Sequence, residues 1–248
     1  MNILDRVKSS QVSNTSSVHR RGGEVLFGEA PYGHNEAFTY DILVDGKIQT
    51  ELKYVLAMTG EGQGQKFYTV SGFLGKEEVF DSEVTFYEST YAPVSSKKVM
   101  NLGGGTVEAS VAYTTHQATV HLLLPKQDRF SVPLRGAVYD NEQIVHLLRT
   151  VDFERRRAAS FFYLYPFAKH VQTAFFKTIG SDTVTGDAGE FLCSAIELSV
   201  PGQRVLLWYA QNHPHPMVRY HCETHNMVLE LKQYHPTVSS QRMGNPLR

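Results

Sequence analysis

From Ala37 onward the chain alternates apolar and polar residues in short runs separated by turn residues, the pattern of half-buried strands. Residues 37–44 and 47–58 flank Asp45-Gly46, a two-residue signal for a tight hairpin whose turn needs positive φ. The same pattern predicts strands at 66–74, 82–89, 94–100, 106–113 and 118–124. After one interruption it resumes at 159–167, 171–179, 191–200, 204–211, 217–223 and 227–234. The connections carry Gly, Pro, Asn or Asp, as short antiparallel connections do.

The interruption is helical. Asp140 suits an N-cap, and Gln143 stands three residues on, at the capping-box position. Ile144, Leu147, Leu148 and Val151 recur at the spacing of one apolar helix face, which predicts a helix of about three turns over 141–151. His146 and Arg149 fall on its less apolar side. Meandering strands with short connections imply a mainly β protein, an antiparallel curled sheet or open β-barrel with one inserted helix. A curled sheet of this size can enclose a ligand cavity.

Residues 1–35 are rich in Ser, Gly, Asn and Arg and show no sustained period. They read as an arm that docks on the domain or stays mobile, residues 36–235 as a single β-rich domain, and 236–248 as a tail.

Composition narrows the classes. The 13 Tyr and 14 Phe against one Trp favour strands, because these rings pack well on a pleated surface. The formal net charge is −1, from 24 Lys plus Arg against 25 Asp plus Glu, so the basic excess of a nucleic-acid binder is missing. No apolar run approaches the roughly 18 residues of a membrane span, and the first residues show no signal-peptide pattern, so a cytoplasmic protein is expected. Cys193 and Cys222 are then expected to be reduced, buried thiols.

The C-terminal half carries a resemblance. It begins with the helix Tyr139-Asp140-Asn141-Glu142-Gln143-Ile144-Val145-His146-Leu147-Leu148-Arg149 and continues through Asp187-Ala188-Gly189-Glu190-Phe191. Val205-Leu206-Leu207-Trp208-Tyr209, Pro216-Met217-Val218-Arg219-Tyr220 and Leu229-Glu230-Leu231 follow in order. Over roughly residues 37–235 this resembles the bacterial family domain of unknown function 3108, whose members are similar to the curled, lipocalin-like half-barrels of lipoprotein carriers. The resemblance implies a fold and no agreed activity. Where that family usually has an acidic residue after the Trp strand, this chain has Gln211-Asn212-His213-Pro214-His215, which points to a local role for the loop.

Three constellations carry candidate chemistry. His213, His215 and His221 offer a three-ligand open site for zinc or another divalent ion, the one cofactor the sequence suggests. The plainer reading is loop and rim histidines, since Pro214 and Pro216 interrupt the strand. Tyr40, His146, Arg149, Arg219 and His221 form a polar set that would suit cofactor-independent lyase, isomerase or cyclase chemistry if they met inside the sheet. Trp208 with Phe162, Tyr163 and Tyr165, from an aromatic run apolar on both faces, would line a site for a large apolar ligand. Gly60-Glu61-Gly62-Gln63-Gly64 and Gly103-Gly104-Gly105 lack the Lys and the strand–helix setting of a phosphate cradle and read as turns.

The leading expectation is a module that binds a hydrophobic or aromatic small molecule in the cavity of the curled sheet. An enzyme on the same scaffold is the alternative. A structural subunit, homo-oligomeric through its N-terminal arm, is the third reading.

Overall fold

The computed structural model describes residues 26–33, 35–62, 65–74, 80–102, 105–123 and 126–236. Of the arm expected over residues 1–35, residues 1–25 and 34 lie outside the described residues, as do residues 237–248 of the tail expected over 236–248. No helix among the described residues is long and apolar enough to cross a membrane.

Among the described residues fifteen strands form one sheet. The first eight are β1 (Asn35–Val44), β2 (Lys47–Gly62), β3 (Gln65–Leu74), β4 (Phe80–Tyr87), β5 (Pro93–Leu102), β6 (Gly105–Tyr113), β7 (Gln117–Leu123) and β8 (Gln127–Pro133). The other seven are β9 (Val138–Asp140), β10 (Ala158–Tyr165), β11 (His170–Gly186), β12 (Gly189–Val200), β13 (Gln203–Ala210), β14 (Met217–Cys222) and β15 (Met227–His235). Strands β1–β8 form one meander and β10–β15 another, and the two join in the middle of the sheet, where β1 pairs with β15. The free ends are β8 and β9, so the sheet is curled but not closed. The β1–β2 turn is as the sequence requires: Asp45 and Gly46 both have positive φ, 51° and 73°.

Register and burial show how the sheet is curled. Its inner face carries Phe38, Tyr40, Leu52, Leu56, Val84 and Phe86 into the main core, together with Phe161 and Tyr163 of β10. Val111 continues this inner face, because Val84 pairs with Ser96 and Ser96 with Val111. Yet Val111, Ala109, Ala118, Val120, Leu122 and Val132 pack against Val138 and Leu164, in a second core. Leu164 alternates with Phe161 and Tyr163 along β10 and so belongs to the outer face. One margin of the sheet therefore lies over the back of the other, as in a scroll. Lys169 reaches Asp128 across this overlap, and Tyr113 donates to Asp140 at 2.5 Å. Two of these strands escape sequence reading, β8 because its exposed, charged positions hide the alternation and β9 because it has only three residues, all buried.

The parallel pairing of β9 with β10 requires a crossover connection. Residues 141–150 supply it as one α-turn, α1 (Ile144–Leu147), between two 3-10 turns. The predicted capping box is present at Asp140 and Gln143. The expected division into an apolar and a less apolar side is corrected: His146 and Arg149 are each 3% exposed, as buried as Leu147 and Leu148 in effect. The segment sits inside the scroll and has no solvent side.

One glycine is needed for this packing. Gly72 pairs with Tyr54 on the inner face, and a Cβ there would lie 2.8 Å from the Tyr54 ring and 2.9 Å from Ser82 Oγ. Tyr54 in turn packs edge-on against His146, 5.1 Å between ring centres. Gly72→Ala is expected to lower stability by about 1–3 kcal/mol through overpacking. A urea unfolding midpoint equal to that of the parent would show that the ring has room to move.

Candidate functional site

Polar groups inside the scroll hold the helical segment at both ends. Lys98, on the inner face of β5, pairs with Glu142 at 2.5 Å, with both side chains largely buried. At the other end Arg149 pairs with Glu36 at 2.8 Å, the two side chains being 2% and 1% exposed. The Arg149 guanidinium lies 5.0 Å from the rings of both Tyr32 and Phe38. Three tyrosines add hydroxyl bonds: Tyr32 donates to the His146 carbonyl, Tyr209 to the Val145 carbonyl and Tyr40 to the Met217 carbonyl. Burial pushes the Tyr40 hydroxyl well above its ordinary pKa, so it stays protonated and donating. His146 is the exception. Neither of its ring nitrogens has a hydrogen-bond partner among the described residues, and burial, reinforced by Arg149, depresses its pKa to about 3.

The expected catalytic set does not meet. Tyr40, His146 and Arg149 are inside, whereas Arg219 and His221 point to the outer face. The register shows why: Trp208 pairs with Arg219 and Leu206 with His221, opposite in phase to the inward Leu207 and Tyr209. Arg219 pairs with Glu230 at 2.8 Å and lies over the Trp208 ring at 5.9 Å.

The expected ligand-binding set is divided in the same way. Trp208 is on the outer face, and Phe162, also outward, is 40% exposed. Tyr163 is buried in the main core, where it donates to Gln172, and Tyr165 packs edge-on against Phe167. The aromatic run has two faces, as expected, but they serve two different packing layers.

The three-histidine metal site is also corrected. His213 and His215 are neighbours, with ring centres 5.9 Å apart, but His221 is on the outer face of β14. Among the described residues no group of three or more His, Cys, Asp or Glu is placed to hold a metal ion.

The structure instead brings His213 and His215 to a cleft of about 720 Å³ at one mouth of the scroll. Three stretches far apart in sequence build it: Glu29–Pro31, residues 149–154, and residues 209–215 with Ser194. Val151, Phe153 and Tyr209 form its apolar part, the two rings stacking at 5.7 Å, within a lining that is otherwise largely polar. Arg149 shapes the wall from within, donating to the Pro214 carbonyl at 2.8 Å and the His215 carbonyl at 3.3 Å. The His213–Pro214 peptide is cis, and His215 has a positive φ of 57°. His215 Nδ1 lies 3.0 Å from the Ala210 carbonyl. A carbonyl only accepts, so Nδ1 carries the proton, and in the neutral form of the ring Nε2 is the acceptor.

Sequence reading found the two histidines and Arg149 but missed Glu29, Asp152, Phe153, Glu154, Ser194 and Tyr209. Nothing local marks these residues, since only the curl of the sheet brings them together. A shallower depression of about 440 Å³ lies on the outer face of β4–β8 among serines, Glu83, Lys97, His121 and Arg129.

No family model matches the chain, and no curated protein matches it. Among solved structures, a β-barrel-like protein of domain of unknown function DUF1849 from Brucella abortus is similar, at TM-score 0.52 and 12% identity over 81% of this chain and 96% of that one. A protein described as exported, with a YmcC-like fold, from Bacteroides fragilis gives TM-score 0.34 at 11% identity over 85% of this chain and all of that one. A protein described as a lipoprotein, from Parabacteroides distasonis, gives TM-score 0.35 at 12% identity over 86% of this chain and all of that one. The chain has a β-barrel-like fold of unknown function.

Proposed function

We propose that the protein binds a small molecule with an apolar or aromatic body, and that the mouth cleft is its site. The observation carrying this reading is the meeting of Val151 and the stacked Phe153 and Tyr209 rings with convergent polar groups in about 720 Å³, within the size range of small-molecule pockets. The scroll interior is filled by residues 141–150 and a dense set of aromatic rings, which moves the expected ligand from the centre of the sheet to its mouth. The resemblance to domain of unknown function 3108 belongs to the same proposal, as does a cytoplasmic location, which two buried free thiols suit.

The test is native mass spectrometry of the full chain equilibrated with a cell extract, beside Ser194→Phe, which fills the cleft from its rim. A bound small molecule is expected in the parent and reduced about tenfold in the variant. A ligand retained equally by both, or none in the parent, would sink the proposal.

A second reading is cofactor-independent lyase, isomerase or cyclase chemistry in the same cleft. The contact of His215 Nδ1 with the Ala210 carbonyl favours it, because Nε2 of the neutral ring is then a positioned proton acceptor. In this reading His215 takes the role first expected of His146 and His221.

A further inference from the structure

We propose that the mouth cleft selects a cationic ligand, an apolar or aromatic body bearing a protonated amine. The inference rests on the cleft being the binding site and adds the chemical class of what it binds.

Most hydrogen-bond donors lining the cleft are already used within the protein. The Arg149 guanidinium is committed to Glu36 and to the Pro214 and His215 carbonyls. The Thr150 hydroxyl donates to the Leu147 carbonyl and the Tyr209 hydroxyl to the Val145 carbonyl. The Gln211 amide donates to Ser181 and Ser194. What remains is the carboxylates of Glu29, Asp152 and Glu154, the Ser194 hydroxyl, and the His213 and His215 rings, each of which offers an acceptor nitrogen in its neutral form. Asp152 is partly engaged, accepting from the Glu154 and Arg155 amides and pairing with the Arg155 side chain at 3.4 Å across an exposed gap.

Among the described residues Arg149 is the one Lys or Arg in the lining, and its charge is balanced by Glu36 in the core. An anionic ligand would therefore meet carboxylates with no uncommitted Lys or Arg opposite among the described residues. An ammonium head would meet groups that need a donor, while its apolar body covers Val151 and Phe153.

The experiment is an NMR titration of the isotopically labelled full chain with benzylamine, benzyl alcohol and benzoate, followed at the His213, His215 and Gln211 resonances. Benzylamine is expected to shift these resonances, and benzoate to leave them unmoved. Glu29→Gln/Glu154→Gln, which alters only exposed side chains, is expected to weaken benzylamine about fivefold, as is a rise from low to physiological salt. Benzoate or benzyl alcohol binding at these resonances as tightly as benzylamine, or a double variant with unchanged affinity, overturns the charge selection and leaves the cleft as a binding site. If none of the three probes moves the cleft resonances, the reading of the cleft falls as well.

Discussion

Arg149→Met is expected to destabilise the protein by about 3–5 kcal/mol, because it leaves the Glu36 carboxylate buried without its cation. The loss extends beyond the pair. The Pro214 and His215 carbonyls lose their donor, so the wall of the mouth cleft loosens together with the core. Hydrogen exchange across residues 211–216 should rise at denaturant concentrations where the rest of the sheet is still protected. Adding Glu36→Leu removes the stranded charge and should recover part of the stability. Recovery stays incomplete because Tyr234 loses its acceptor and the two carbonyls remain unpaired. A single substitution costing under about 1 kcal/mol would mean that water reaches the pair, and the view of it as a buried anchor would be wrong.

The second large effect concerns pH. His146 is held neutral, its pKa depressed to about 3 by burial first and by Arg149 second. The unfolded chain takes up that proton near 6.5. Between these values the native state binds fewer protons, so the contribution of His146 to stability falls as pH falls. Asp140 acts in the opposite direction. Burial raises its pKa to about 6, with bonds from Ser96 and Tyr113 opposing the rise and the Glu142 charge adding to it. Below about 6 the native state holds a proton on Asp140 that the unfolded chain releases down to about 4, so this contribution grows as pH falls.

Between about pH 6 and 4 the two slopes oppose each other in the parent protein. His146→Leu removes one of them and should expose the other. At pH 7 the variant is expected to be more stable by about 1–2 kcal/mol, since two unpartnered ring nitrogens leave the core. At pH 5 the difference should widen by about 2 kcal/mol, at 1.36 kcal/mol per pH unit below 6.5. Urea denaturation at the two pH values measures both. Parallel stability–pH curves for parent and variant would mean that His146 is already paired or protonated in the native state.

These two residues also show where sequence reading stopped. The helix, its capping box and its apolar spacing were legible because they depend on neighbours within about two turns. The hairpin at Asp45-Gly46 was legible for the same reason. His146 and Arg149 looked like the outward side of an amphipathic helix because polar residues usually face solvent. Their surroundings come from much further away: Glu36 is 113 residues from Arg149 and Pro214 is 65. The overlap of the sheet likewise gives β10 two buried faces at Leu164, which alternation cannot predict from β10 alone. His221 illustrates the converse, since its spacing from His215 suggested one shared face, and the loop through Pro214 and Pro216 removed it.

The pairing of β1 with β15 has a consequence for biosynthesis. Ala37 meets His235 across that pair, so the seam between the two meanders waits for the last described strand to be made. Until then β1, with Phe38, Tyr40 and Ile42, carries an open edge and an apolar face. Neighbouring strands within each meander can pair while synthesis continues, but the scroll cannot close at its centre. Emergence from the ribosome is therefore the stage at which this chain most needs protection from pairing with another copy of itself.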